Sequence, residues 1–374
     1  MHIGINLLYL LPGVVGGTEL YAAGLIQGFS AINHEDKFII FVNQEAADWP
    51  LPRAANIVRI ICPVKGSNRS RRYLFEQSSL VNLLKKHKVD LVHSLGYVGP
   101  LASPCPSIIT IPDLNYIDVA KDMRFVKRLL LRFFSTLAAR RSDHIITISC
   151  FSKRRLNQAL RLPNNKITVT YLAPGAKLNR GGEDSWPELA PLYRIKGPYI
   201  AAFGGGALHK NIPRLIQAFA ALKDQVPHSL VLIGRLPPDV NLATVSKEKG
   251  LNDRVIATDY VPSAHINTLL CHADLFVLPS LYEGFGMPVL EAQQASVAVA
   301  CSTAASLPEV AGKGAMYFDP KSIEAISEAI YRCLFDSRMR MELCRLGQEN
   351  LKRFSWERAA AETLAVYRQV LGVA

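Results

Sequence analysis

The 374-residue sequence predicts an α/β protein of two Rossmann-like domains, parallel sheets covered by helices and facing one another across a cleft. Three observations predict it. Short β-branched runs alternate with helical stretches, and the runs are almost continuously apolar, as strands buried on both faces must be. The rhythm halts at a polar, Gly- and Pro-bearing segment near residues 175–197 and then restarts. Length agrees, because one core rarely serves more than about 250–300 residues.

In the first half the strand-like runs are HIGINLL, KFIIFV, IVRII, DLVHS, SIITI, DHIITIS and KITVT; in the second they are YIAAFG, LVLIG, RVIAT, DLFVLP, VAVAC and AMYF. The domains are expected at residues 1–180 and 181–356. The closing stretch SWERAAAETLAVYRQVLGVA reads as a helix capped at Ser355. With 49% hydrophobic and 20% charged residues the composition is that of a globular chain. No apolar run reaches the ~18 residues of a spanning helix, and MHIGINLLYLLPGVVGG has no basic leader, so it reads as a first strand and loop. Seven cysteines include no C-x-x-C pair, which points to a reducing, cytoplasmic setting without a zinc site. A net charge of +12 favours anionic partners. Nucleic acid ranks last, because no helix-turn-helix or RNA-binding signature accompanies the charge.

In open parallel sheets ligands sit beyond the carboxyl ends of the strands, which directs attention to a few loops. PSLYEGFGMPVLEA leaves the strand DLFVLP; Pro288 suits the first position of the next helix, so free N–H groups and a positive helix end meet at one spot. Gly284, Phe285 and Gly286 form its turn. Glu283 precedes the turn and Glu291 falls in the first helical turn. Neither carboxylate tolerates a phosphate, so each should face hydroxyls of the same ligand. A nucleoside diphosphate sugar has that pattern, with ribose for Glu291, diphosphate over the amides and sugar hydroxyls for Glu283.

The loop FGGGALHKN carries Gly205 among three glycines that admit close approach of a ligand, then His209 and Lys210 at a helix mouth. Lys210 would neutralise the departing diphosphate. The glycines do not complete G-x-G-x-x-G, and no acidic residue marks the next strand end, so an NAD-dependent oxidoreductase is disfavoured. Gly16 and Gly17, with Thr18 as N-cap, repeat the arrangement in the first domain, serving either a ligand or a tight turn. His93 and Asp113 stand at carboxyl ends of strands, where either could meet an acceptor hydroxyl. No D-x-D occurs anywhere, so activity without a metal is expected. RFVKRLLLRFFSTLAARR sets Val126, Leu129, Leu130, Phe133 and Leu137 on one helical side and Arg124, Lys127, Arg128, Arg132, Arg140 and Arg141 elsewhere. That pattern serves either a core stripe or contact with an anionic membrane.

These residues resemble glycosyltransferase family 4, retaining enzymes of the B-type two-Rossmann-domain fold. PSLYEGFGMPVLEA is similar to the family's E-x(7)-E motif, GGGALHKN to its phosphate-lysine loop, GGTE to its first-domain glycine loop and SLPEVAGKGAMYFDP to the segment after the motif. The resemblance implies that Glu291 holds the donor ribose, that Glu283 lies near the transferred sugar and that Lys210 binds diphosphate. It further implies that amides of Phe285, Gly286 and Met287 orient sugar and phosphate, that backbone near Val261 meets the base, and that residues 357–374 return to the first domain. His209 stands where relatives commonly carry arginine, so Arg235 would share the neutralisation; Pro112 replaces a histidine, shifting any acceptor-activating role towards Asp113.

The function implied is a cytoplasmic hexosyltransferase, using most readily UDP-glucose, acting on a glycan or lipid-linked acceptor in polysaccharide biosynthesis, with no cofactor. GDP-mannose-dependent mannosyl transfer is the near variant, and a sugar-nucleotide-binding protein without turnover is the rival from another class.

Overall fold

The computed structural model describes residues 1–119, 125–175, 185–205, 207–236 and 242–373. All thirteen apolar runs form strands: β1 (His2–Leu7), β2 (Lys37–Val42), β3 (Ile57–Ile61), β4 (Leu91–Ser94), β5 (Ser107–Thr110), β6 (His144–Thr147), β7 (Ile167–Val169), β8 (Tyr199–Phe203), β9 (Ser229–Ile233), β10 (Val255–Ala257), β11 (Leu275–Leu278), β12 (Val299–Ser302) and β13 (Met316–Phe318). They make two wholly parallel sheets, ordered β3-β2-β1-β4-β5-β6-β7 and β10-β9-β8-β11-β12-β13. Each is a doubly wound sheet whose order reverses beside its first strand, at β1/β4 and at β8/β11.

The second sheet shows why its strands are apolar throughout. Ile200 and Ala202 enter one core with Leu215, Phe219 and Ile330, while their neighbours Tyr199 and Ala201 enter another with Phe276 and Val289. Alternate side chains leave opposite faces, and both faces are covered.

The chain divides into two compact units, Met1–Ala173 with Phe354–Ala374, and Pro174–Arg353. In the first, the helix Trp356–Leu371 is capped by Ser355, whose Oγ accepts from the Arg358 N–H at 3.1 Å. It lies along the helix Gly17–Ile32 at a seam of small residues: a Cβ on Gly24 would fall inside the Trp356 indole, and one on Gly28 would strike the Trp356 carbonyl. Tyr367 of the same helix reaches His93 Nδ1 at 2.7 Å, and His93 Nε2 meets Thr110 Oγ1 at 2.8 Å.

The helix Phe125–Arg141 turns Leu131, Ser135, Ala138 and Ala139 inward, Ser135 donating to the Tyr116 hydroxyl at 2.7 Å. Leu129, Leu130 and Phe133 are instead exposed, at 56%, 48% and 60%. The apolar side picked out in the sequence is thus largely a solvent face, with exposed Arg132, Arg140 and Arg141 beside it. Arg124 and the side chains of Val126 and Lys127 lie outside the described residues.

Candidate functional site

Because β8 and β11 are hydrogen-bonded neighbours at the reversal of strand order, their carboxyl-end loops meet. After β8 the chain runs through Gly204 and Gly205 into the turn Leu208–Lys210 and the helix Ile212–Ala221; after β11 it runs through Pro279–Gly286 into the helix Met287–Gln294. The two glutamate-loop and lysine-loop side chains join here: Lys210 Nζ lies 2.8 Å from Glu283 Oε1. Ser280 Oγ donates to the same oxygen at 2.6 Å. Burial acts to raise the Glu283 pKa, but the Lys210 charge and the hydrogen bonds from Lys210 and Ser280 outweigh it and hold the carboxyl below its ordinary value.

Asn211 binds the loops together. Its φ of +61° is a left-handed conformation that asparagine tolerates, and its Nδ2 donates to the carbonyls of Pro279 at 2.9 Å and Pro320 at 2.8 Å. The Leu281 N–H donates to the His209 carbonyl at 2.7 Å. Beneath the glutamate loop, buried Ser306 Oγ donates to the carbonyls of Glu283 at 2.8 Å and Phe285 at 2.7 Å, and Ser302 Oγ to that of Ser280 at 2.6 Å. Gly286 caps the following helix at φ +106°, where an added Cβ would lie 2.6 Å from Leu307 Cδ2, so only glycine fits. The N–H groups at this helix start, Met287 included, precede any intrahelical acceptor and face an anion-favouring end of the dipole.

Glu291 sits one residue further into its helix than the sequence indicated, since the helix starts at Met287 and Pro288 is its second residue. Its carboxyl makes no hydrogen bond or ion pair with a described residue, and burial pushes its pKa up. A half-buried acceptor without a protein donor is suited to a neutral hydroxyl-bearing group. Gly204 is pressed against the carbonyls of Gly234 and Arg235, each 3.0 Å from where its Cβ would be, and Arg235 itself is exposed. Val261, following β10, is buried in the core of this unit.

In the first unit, Gly16 rather than Thr18 occupies the N-cap of Gly17–Ile32, at φ 57° and ψ −124°, while Thr18 Oγ1 donates to the Val15 carbonyl at 3.0 Å. Side chains at Gly16 and Gly17 would meet open space, although the φ of Gly16 restricts that position to glycine. Asp113 follows β5, its Oδ1 accepting from the Tyr97 hydroxyl at 2.8 Å and the Asn115 N–H at 3.1 Å. His93 is fully buried, and burial pushes its pKa down to about 3. With both ring nitrogens engaged by Tyr367 and Thr110, this is the arrangement of a structural histidine, and the ring offers no open nitrogen to an acceptor. Among the described residues no group of three or more His, Cys, Asp and Glu could hold a metal ion.

Asn211, Ser280 and Ser306 were not singled out by sequence. The asparagine carried a signal, a residue tolerant of left-handed backbone directly before a helix; the serines are visible only once the strands are ordered.

The sequence profile for "Glycosyltransferase Family 4" matches residues 15–173 and that for "Glycosyl transferases group 1" matches residues 193–349. The chain is 32% identical over 228 residues to the O-antigen chain mannosyltransferase B of Escherichia coli, a match spanning 60% of each protein. It is 27% identical to the MMP alpha-(1->4)-mannosyltransferase of Mycolicibacterium hassiacum, over 68% of this chain and 62% of that one. These matches therefore span less than two thirds of either relative's length. Among solved structures, the sucrose-phosphate synthase of Thermosynechococcus elongatus superimposes with a TM-score of 0.76 over 100% of both chains at 18% identity, a likeness of fold. With one profile covering most of the first unit and the other most of the second, the chain belongs to the family 4-like glycosyltransferases.

Proposed function

We propose that the protein transfers a hexose from a nucleoside diphosphate sugar to a saccharide acceptor in the building of a surface polysaccharide. The observation that carries this reading is the 2.8 Å Lys210–Glu283 pair at the junction of two helix-starting loops, with Glu291, which has no side-chain partner among the described residues, in the helix that follows. In the reading, the donor diphosphate takes over the ammonium of Lys210 and the N–H groups of Gly286 and Met287. Glu283, so released, accepts from hydroxyls of the transferred sugar, and Glu291 accepts from the ribose diol. Arg235 shares the charge neutralisation, His209 adds a contact beside Lys210, and backbone near Val261 meets the base.

Reaction with retention follows if the acceptor hydroxyl enters on the face the diphosphate leaves. The leaving oxygen then collects the proton, and stabilising its charge is the main catalytic demand. Lys210 and the helix ends meet that demand without a divalent ion, consistent with the absence of D-x-D from the sequence. Chelator-treated protein should keep its rate; loss of activity restored by manganese contradicts this part.

The names of the mannosyltransferase relatives favour mannose as the sugar, and with it GDP-mannose ahead of UDP-glucose. A thermal-shift panel of UDP, GDP and ADP sugars ranks the donors, and release of free nucleotide from the ranked donor separates an enzyme from a protein that only binds. A panel with no response at all defeats the reading.

A second reading concerns placement. Exposed Leu129, Leu130 and Phe133, flanked by arginines in a chain of net charge +12, favour peripheral contact with an anionic membrane. No described helix is long and apolar enough to cross one. Flotation with anionic vesicles should be lost in the Leu129→Ser/Phe133→Ser variant; unchanged flotation removes the membrane reading.

A further inference from the structure

At the carboxyl ends of β2 and β3 the first unit holds a cavity of about 330 Å³ that none of the foregoing uses. One wall is the loop Pro63–Lys65, the other the helix Arg69–Gln77. Two cations, Lys65 and Arg71, both exposed, stand on its rim, and among the described residues no carboxylate lines it. Two acids lie close in sequence, and both are occupied: Glu76, on the same helix, is buried beside Arg72, and Glu45 accepts from the N–H groups of Gly66 at 2.8 Å and Ser67 at 3.2 Å and from Ser67 Oγ at 2.6 Å, which fixes the turn that carries Lys65. The rest of the lining is mixed: Val64, Phe75 and Leu74, the last 69% exposed, give it an apolar part, and Gln44, Asn68, Ser78 and Ser79 add neutral polar groups.

Apolar side chains and two cations without a carboxylate between them, lining one concave site, match an amphiphile that carries an anion next to an apolar chain. The surroundings repeat the same chemistry. Helix Arg69–Gln77 touches helix Phe125–Arg141 through Tyr73 and Phe134, ring centroids 4.8 Å apart, and that second helix carries the exposed Leu129, Leu130 and Phe133. Cations and apolar surface thus recur on two helices packed side by side, and the cavity opens on the first of them.

We propose that this cavity receives the phosphate group of an amphiphile, a phosphate ester of an apolar chain, with the anion between Lys65 and Arg71 and the first carbons of the chain on Val64, Leu74 and Phe75. Arginine and lysine supply charge-assisted hydrogen bonds to phosphate oxygens, and the apolar floor selects against a free anion. The proposal rests on the transferase reading for its meaning, since it makes the acceptor a lipid-linked phosphate. Its test does not depend on turnover.

Calorimetric titration of the full chain with farnesyl phosphate, kept below its micelle concentration, should give saturable one-to-one binding. Farnesol, inorganic phosphate and glucose 1-phosphate should each bind at least about tenfold more weakly, because each lacks one half of the contact. The Lys65→Ala/Arg71→Ala variant should lose about tenfold or more, and Lys65→Arg/Arg71→Lys should recover most of it. Inorganic phosphate binding as tightly as the amphiphile overturns the proposal by showing an anion site alone. So does a Lys65→Ala/Arg71→Ala variant that binds like the parent, or loss confined to Leu129→Ser/Phe133→Ser, which places the ligand on the neighbouring helix. A nucleotide that raises the melting temperature of the parent should do the same for each variant, which verifies the fold. Failure of that nucleotide response in the parent would count against the transferase reading and leave the amphiphile result standing.

Discussion

Lys210 and Glu283, 73 residues apart, form an ion pair 2.8 Å long across two neighbouring loops. The pair arms the site. Lys210 holds Glu283 in its charged form while the diphosphate is absent, and a diphosphate exchanges one monovalent acid for a stronger anion at the same ammonium. Lys210→Ala should lower turnover ~100-fold or more with little change in melting temperature. The same substitution removes the cation that holds the Glu283 pKa down, and burial then raises it. Activity should therefore fail at a higher pH on the acid side than in the parent. A pH–rate profile with an unmoved acid limb, or near-normal turnover, defeats the role given to the pair.

Glu291 presents the opposite sign. Burial raises its pKa, and no described donor offsets that cost. A carboxyl whose folded pKa is raised favours the fold while protonated, below its unfolded pKa, and that contribution is lost as pH rises through the folded value. At neutral pH the ionised group thus weakens the fold. Glu291→Gln should raise the melting temperature by roughly 2–4 °C, the scale of about 1 kcal/mol in a domain of this size. It should also weaken nucleotide binding, because the amide replaces one hydroxyl acceptor by a donor. In the parent, affinity should decline as pH falls through the raised pKa, and in Glu291→Gln that decline should vanish. Titration of both proteins across the acid range checks the two effects together; a variant that binds as well as the parent removes Glu291 from the ligand.

How much of this was legible depended on range. Buried parallel strands are short, continuous and apolar, so every strand of both sheets could be read from its own residues. Lys210 and Glu283 could each be placed at the end of a strand. Their contact could not, because it follows from β8 lying next to β11, and strand order is a property of the whole sheet. The misplaced cap has a local cause: Thr18 has the side chain of a cap, but Gly16 has the backbone freedom, and the turn demanded the backbone. In the helix Phe125–Arg141 two faces carry apolar residues, and only packing reveals that Leu131 and Ala138 turn inward while Leu129 and Phe133 do not. His93 likewise could be placed on β4, but not the tyrosine from the far end of the chain that occupies it.

The seam between the helices Gly17–Ile32 and Trp356–Leu371 admits a sharp test, because the missing Cβ of Gly24 is what makes room for the Trp356 ring. Gly24→Ala forces a rigid indole to move, at a cost of about 1–3 kcal/mol of overpacking. Thermal unfolding should shift down by several degrees, and the terminal helix should become open to proteolysis. Combined with Trp356→Ala, the penalty of Gly24→Ala should largely disappear, since the ring it strikes is gone. Additive effects of the two substitutions would show that the seam does not couple them.

Ser306 offers the last test, and it separates loop geometry from ligand contact. One hydroxyl bridges the carbonyls of Glu283 and Phe285, so it fixes the direction of the intervening backbone without facing the ligand itself. Ser306→Ala removes this one shared donor at a cost of about 1–3 kcal/mol, and lets the loop drift from the position where Glu283 meets Lys210. Misplacement of a reacting geometry costs more in the transition state than in the ground state. The expected outcome is a kcat lowered about tenfold or more with KM for the donor nearly unchanged, and recovery in Ser306→Thr, which restores the hydroxyl. Equal losses in kcat and affinity, or no recovery with threonine, would mean that Ser306 serves folding alone.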